Sequence, residues 1–434
     1  MATQGNALKE KLYVDGLGGL QDAAFPLSRF NIIIGPQASG KSLAAKLIYF
    51  CKSYPREVFS GVFDELSKER FEARLREKFQ EYFRSAIETG GFLVRYDLDE
   101  EGVEITCAKQ KKSGRAKLEI KGSAYFDREY TSLRRVYGKQ AKQLAKDEVT
   151  EDLDIGFKLQ NSYNNRFYRQ FSGRWAMQQV FIPAGRSYFS FLQGSIFSLL
   201  SNNIPLDPFI KEFGSTYERY KSMYLRINSS NPERSNPIGE TAEQILKGKY
   251  ERVRGEDYVL TPDDRRVPVA NSSSGQQEVL PLLVMLQYLY HYPSVFGRSV
   301  FIEEPEAHLF PDTQKRLVEL LVLAAARGRR AQMVLTTHSP YICAAFNNLI
   351  LAGQVVAKGG IAARNQVRKI TLGGASLDID EMSVLALVNG KPKSIIDKRA
   401  KLIDSRYLDS ISDVMFEQRE QLLDLVGRFN GAKG

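Results

Sequence analysis

The chain has 434 residues, 43% hydrophobic and 26% charged, a balance that fits a soluble globular protein of about three domains rather than a disordered or fibrous one. Its three cysteines (Cys51, Cys107, Cys343) stand too far apart for a disulfide framework or a CxxC metal site, which points to a reduced, cytoplasmic setting. Met1 to Asn6 is polar, so no signal peptide is read there. The longest apolar stretch, Val279 to Tyr290, is broken by Pro281 and Gln287 and falls short of the ~20 residues a membrane span needs, so no membrane contact is expected.

In chain order, Lys11 to Phe30 predicts two short strands around a glycine-rich turn (Gly16, Gly18, Gly19). Asn31-Ile32-Ile33-Ile34 predicts a buried strand of a parallel sheet. Directly after it, Gly35-Pro36-Gln37-Ala38-Ser39-Gly40-Lys41-Ser42 fits G-x-x-x-x-G-K-[ST] in full, and Ser42 to Cys51 reads as the helix that follows. Glycines at such a turn let backbone N–H groups curl around phosphates. The Lys41 ammonium reaches the β- and γ-phosphates, and the Ser42 hydroxyl binds Mg²⁺. The helix N-terminus behind the loop favours an anion.

From Pro55 the pattern changes. Phe63, Leu66, Phe71, Leu75, Phe79, Phe83 and Ile87 recur at helical spacing. Phe92 to Leu98 and Val103 to Cys107 alternate around Asp99-Glu100-Glu101-Gly102 as a hairpin, with a third strand at Leu118 and Ile120 and a basic helix over Asp127 to Lys146. The chain's net charge of +10 is concentrated here: residues 105–146 hold twelve basic residues against three acids, a net +9. Two readings stand for this segment, a nucleic-acid contact and a solvated face that meets water or an acidic protein.

Gln178 to Pro183 reads as a strand returning to the sheet, and Asn228 to Pro237 as a loop by composition. Tyr258 to Leu260 and Val267 to Val269 form a hairpin that delivers the chain to Ser273-Ser274-Gly275-Gln276-Gln277-Glu278, a segment that opens a helix. Ser299-Val300-Phe301-Ile302 is a second buried strand with Glu303 and Glu304 at its carboxyl end, where ligands sit in open α/β sheets. Glu303 is assigned to the Mg²⁺ shell and Glu304 to the attacking water. Met333 to Leu335 is the next strand, and His338 at its end is placed to bond a γ-phosphate. The sheet finishes beyond His338, and Asp404 to Phe429 reads as a last amphipathic helix through Leu408, Ile411, Met415, Leu422 and Leu425.

In this order, the phosphate loop, the Ser-Gly-Gln segment, Glu-Glu-Pro-Glu-Ala-His-Leu and Thr-His-Ser resemble the ABC-type ATPase heads of the OLD, RecF and SMC group, a class often labelled AAA-family ATPases. The likeness covers roughly residues 8–51 and 180–363. It implies an α/β ABC-ATPase head, a P-loop sheet with helices on both faces and an N-terminal antiparallel part, carrying an α+β insertion. The divisions are residues 1–54 and 178–390 for the head, 55–177 for the basic insertion and 391–434 for a C-terminal helical segment.

By the same resemblance, Gly35, Gly40, Lys41 and Ser42 are Walker A ligands and Glu303 and Glu304 the Walker B pair. Glu306 to Leu309 is the D-loop, and His338 the switch histidine. Ser274, Gly275 and Gln276 form a signature that faces the nucleotide of another copy. Gln276 in place of a second glycine, and Glu303 in place of aspartate, argue against a transporter subunit. Arg186, after the return strand, is a candidate γ-phosphate contact or else an ordinary surface ion pair.

The resemblance implies ATP and Mg²⁺ as cofactors and a homodimer or an assembly of dimers. ATPase subunits of two-gene phage-defence systems such as PARIS and Septu share this size and pattern, which implies control of a separate effector, a nuclease in many cases. No nuclease site is read in this chain. The alternative is a RecF-like DNA-binding repair ATPase.

Overall fold

A computed structural model describes residues 9–87, 91–109, 116–147, 152–191, 206–230, 237–327, 331–404 and 416–423. Strands β1 (Glu10–Asp15) and β2 (Ala23–Leu27) form the predicted hairpin. Strand β3 (Phe30–Ile34) runs into the phosphate loop and helix α1 (Lys41–Phe63). This helix does not stop near Cys51. It continues through Pro55 to Phe63, where Pro55 adds no amide to the ladder but the flanking Tyr54 and Val58 are buried in the core. Helices α2 (Lys68–Tyr82) and α3 (Arg84–Ile87) follow, with Phe71, Leu75 and Phe79 on the buried face of α2.

Strands β4 (Phe92–Leu98), β5 (Glu101–Lys109) and β6 (Ala116–Gly122) form the meander expected from the alternation. They do not stand apart as a separate layer. Strand β4 pairs antiparallel with β1, Leu12 opposite Tyr96, so one five-stranded sheet runs β2-β1-β4-β5-β6. The strands of the insertion thus complete the N-terminal antiparallel part. Helix α4 (Ala124–Asp147) packs on α1 and against β6, and α5 (Asp152–Gln170) packs beside α4, with the Tyr163 hydroxyl donating to Pro55 O of α1 at 3.2 Å.

The chain then enters a six-stranded sheet through β7 (Gln178–Ile182). Strands β8 (Lys249–Val253), β9 (Glu256–Leu260) and β10 (Arg266–Pro268) make a small antiparallel sheet ahead of the helix Ser274–His291. Strand β11 (Arg298–Glu303), helix Pro311–Arg327, strand β12 (Ala331–Thr337) and helix Pro340–Ile370 come next. Beyond His338 the sheet gains β13 (Met382–Val388) and the short antiparallel β14 (Lys391–Ser394), giving the order β14-β13-β3-β12-β11-β7.

Side chains that alternate along a strand point to opposite faces, and this sheet buries both. Ile32, Ile34, Val300, Ile302, Met333, Leu335, Val384 and Ala386 pack into one core with the helices 274–291, 311–327 and 340–370. Ile33, Phe301, Val334, Leu385 and Leu387 pack into the other with α1 and the antiparallel sheet. The helix Pro340–Ile370 is long and apolar enough by composition to span a bilayer. Its Ile342, Cys343, Phe346, Leu349 and Ile350 are instead packed into the first core. Most of the helix expected over Asp404–Phe429 lies outside the described residues; residues 416–423 are helical and exposed.

Candidate functional site

Strands β7, β11, β12, β3 and β13 are parallel, so their carboxyl ends share one edge. That edge collects Gly35–Ser42, Glu303, Glu304 and His338, the residues singled out from the sequence. Gly40 closes the loop at φ 99°, and a Cβ there would meet the Leu20 side chain at 2.9 Å, so only glycine fits. Pro36, Gln37 and Ala38 are exposed at the tip, while Lys41 is buried.

The Lys41 ammonium folds back onto its own loop, donating to Gly35 O at 2.9 Å and Pro36 O at 2.7 Å. His338 Nδ1 lies 3.4 Å from it. Burial lowers the Lys41 pKa, and the nearby Glu304 and Glu306 carboxylates act against that shift. On the other side of the ring, His338 Nε2 lies 2.7 Å from Glu304 Oε1. Lysine, imidazole and carboxylate therefore form one continuous chain. Glu304 adopts φ 43°, a left-handed backbone that glutamate rarely takes, at the start of the turn that leaves β11.

Glu303 is buried, and one of its oxygens accepts from the Ala184 amide at 3.2 Å. Burial raises its pKa; Lys46, the Ala184 amide and a hydrogen bond from the Ser42 hydroxyl act the other way. Its second oxygen is buried with no partner, as are Ser39 Oγ, Thr336 Oγ1 and one oxygen of Glu306. Buried polar atoms are ordinarily satisfied, so these four stand out beside the strand edge, although Arg29, Arg74, Asn164, Gln179 and Gln287 elsewhere in the described residues also hold unsatisfied atoms. The Ser42 hydroxyl and the free Glu303 oxygen fit a divalent cation whose remaining ligands are phosphate oxygens or water. Among the described residues no cluster of three or more His, Cys, Asp or Glu forms a metal site by itself.

Arg186 departs from both readings of it. It is completely buried, and its guanidinium donates to Pro183 O, Glu303 O, Glu304 O and Glu278 O at 3.1, 2.7, 2.9 and 3.1 Å. It also pairs with the Glu278 carboxylate at 3.3 Å. With five donors engaged, it neither reaches for phosphate nor sits on the surface. It ties the Glu303–Glu304 backbone to the helix Ser274–His291. Glu278, which closes the Ser273–Glu278 segment but has no role in the motif, also accepts from the Arg186 and Ser187 amides. A glutamate five residues into a helix carries no signal of burial in its sequence neighbourhood.

The Ser273–Gln276 turn is built differently. Ser273 caps the helix in a reciprocal box with Gln276, and Gln276 Nε2 donates to Leu246 O at 3.0 Å. The Gln276 side chain is thus committed to the helix start. Ser274 is exposed in the first turn. Gly275 packs so closely on the D-loop that a Cβ would stand 2.8 Å from His308 O.

Residues 178–343 match the family described as the AAA ATPase domain. That segment is similar to an ATPase domain over 166 of the 434 residues. The matched segment spans Glu303, Glu304, His338 and Ser273–Gln276, whereas the phosphate loop lies ahead of it in sequence and joins it through β3. Among solved structures, the SMC head domain from Thermotoga maritima is 15% identical, with 88% of this chain and 97% of that chain covered and a TM-score of 0.36. The Smc head with an extended coiled coil bound to the C-terminal domain of ScpA, derived from Pyrococcus furiosus, is 12% identical over 95% and 99%, with a TM-score of 0.39. The recombination mediator RecF with ATPrS is 11% identical over 90% and 98%, with a TM-score of 0.30. At such TM-scores these likenesses add nothing to the site geometry. No curated protein matches in sequence.

Proposed function

We propose that this chain is an ATP-binding and ATP-hydrolysing switch of the ABC type, in which two copies sandwich the nucleotide. The observation that carries this reading is the unequal state of the two half-sites. Lys41, Ser42, Glu303, Glu304 and His338 converge on one strand edge with unsatisfied buried oxygens. Ser274, by contrast, lies exposed on a self-capped helix, as a group lent to another copy's nucleotide would.

In this reading Lys41 leaves its loop carbonyls for the β- and γ-phosphates, and Ser42 and Glu303 hold Mg²⁺, which neutralises phosphate charge. Glu304 orients the attacking water and takes its proton as the bond to the β–γ bridging oxygen breaks. His338 sits between Glu304 and the γ-phosphate and registers its loss. Loss of the γ-phosphate then loosens the joint between the copies.

The switch is assigned to control of a separate effector protein, a nuclease in antiviral defence, on the strength of the motif order. A RecF-like DNA contact is the second reading. It is favoured by Arg128, Arg134, Arg135 and Lys139, which lie exposed on α4 within the +9 segment. About six phosphate contacts would cost ~10³ in affinity between roughly 50 and 200 mM salt. Binding with that slope supports the DNA reading. Co-purification of the neighbouring gene's product, with no DNA binding, supports effector control. The switch itself is tested by ATP turnover and assembly state in Glu304→Gln, which should hold ATP, stop turning over and persist as the closed dimer.

A further inference from the structure

Glu306 stands two residues beyond Glu304 and is buried at 9% exposure. Its Oε1 accepts from the Thr337 hydroxyl at 2.6 Å and from the His338 amide at 2.7 Å. The Thr337 hydroxyl oxygen in turn accepts from the Ser339 amide at 3.0 Å. A single carboxylate oxygen thereby fixes the backbone on both sides of the imidazole. That imidazole is the one 2.7 Å from Glu304. Glu304 and Glu306 leave the same tight turn, in which the Ala307 amide donates to Glu304 O and the Leu309 amide to Glu306 O, at 3.1 and 2.9 Å. Both ends of the Glu304–His338 contact are therefore set by one short segment, Glu304 directly and His338 through Glu306.

The second oxygen of Glu306 is buried without a partner. A half-satisfied buried carboxylate is a costly way to hold two donors. Such cost is tolerated where neighbouring geometry matters more than stability.

We infer that Glu306 is a positioning residue for the hydrolytic step, holding the His338 ring at Glu304 without touching nucleotide or water. The inference rests on the ATPase reading in which Glu304 and His338 act together. Two readouts on the full chain separate the two ideas. The sequence has only three histidines, His291, His308 and His338, so the His338 ring resonances can be assigned by comparison with His338→Asn.

Without nucleotide, Glu306→Ala should displace the His338 ring signals, and Glu304→Gln, which alters the ring's 2.7 Å contact directly, should do so too. Glu306→Gln, whose amide oxygen can accept the same two bonds, should leave them in place. In turnover, Glu306→Ala should lower kcat about tenfold or more with KM within about twofold, and Glu306→Gln should stay within about threefold of wild type. Should Glu306→Ala fail to fold, Glu306→Asp, one methylene too short to span the gap, replaces it with the same expected pattern. An unmoved His338 ring in the shortened variant overturns the inference, and so does a Gln variant as impaired as Ala, which would make charge the function. Absence of turnover in the wild type would defeat the ATPase reading instead, while the ring signals still decide the positioning role.

Discussion

The carboxyl edge of the parallel sheet and the Ser273–Gln276 turn meet in one chain yet are finished to different degrees. At the sheet edge Lys41 is buried, Glu303 has one buried oxygen unanswered, and Glu304 holds a strained backbone. At the turn Ser273 and Gln276 satisfy each other, and Ser274 is exposed. The first region bears costs that a ligand would relieve; the second bears none and has a hydroxyl to spare. In the proposed arrangement, one half of the site waits under strain and the other waits relaxed. Arg186 joins them, since it bonds the Glu303 and Glu304 carbonyls and the Glu278 carboxylate of the helix that the turn begins.

Removing that link is the largest expected change. Arg186→Ala leaves the buried Glu278 carboxylate without its cation, held only by two backbone amides, and should cost about 3–5 kcal/mol in denaturant unfolding. A cost below ~1 kcal/mol would mean the two regions are held together by something else. Glu304→Gln should lower ATP turnover by roughly 10²–10³ while leaving ATP bound, as filter binding beside steady-state assays would show. Undiminished turnover would remove Glu304 from the chemistry.

Lys41→Ala should weaken ATP binding by about tenfold to a hundredfold, the worth of charge-assisted hydrogen bonds, and should shrink the rise in Tm at a given ATP concentration accordingly. The smallest effect concerns Glu303. Burial raises its pKa, so the folded state binds its proton more tightly than the unfolded one. Stability from this group is therefore full at low pH and falls as pH rises from the ordinary carboxylate range through the raised value. Glu303→Gln should flatten that fall, gain about 1 kcal/mol at neutral pH without ligand, and lose the Mg²⁺-dependent part of the ATP-induced stabilisation. A mutant less stable than wild type without ligand would contradict a strained, waiting half-site.

Much of this was legible in the residues because its chemistry is local. Gly35 to Ser42 is a contiguous motif behind a run of isoleucines, and Glu303 and His338 each end an apolar strand. The hairpin at Asp99–Gly102 was likewise readable from its alternation. What escaped is non-local. Nothing near Tyr96 announces that it pairs with Leu12, so the insertion's membership of the N-terminal sheet was invisible. Pro55 suggested a boundary, yet packing carries α1 through it.

Strand β8 and the helix Pro340–Ile370 carry no motif, and β13 is a plain apolar run far from any signature. Arg186 was placed near the right strand end with the wrong partners, because a sequence cannot show that five acceptors surround one guanidinium. Glu306 was visible only as part of the D-loop. Its hold on the His338 amide spans 32 residues and exists only once β11 and β12 lie side by side.

One complementation assay tests the shared-nucleotide arrangement most directly. Subunits carrying only Lys41→Ala and subunits carrying only Ser274→Ala should each be inactive, and an equimolar mixture should recover about a quarter of wild-type ATP turnover. That fraction follows because half of the dimers are mixed and each holds one intact composite site. A mixture that stays silent, or a Ser274→Ala protein that hydrolyses ATP at full rate whatever its dilution, would contradict the account.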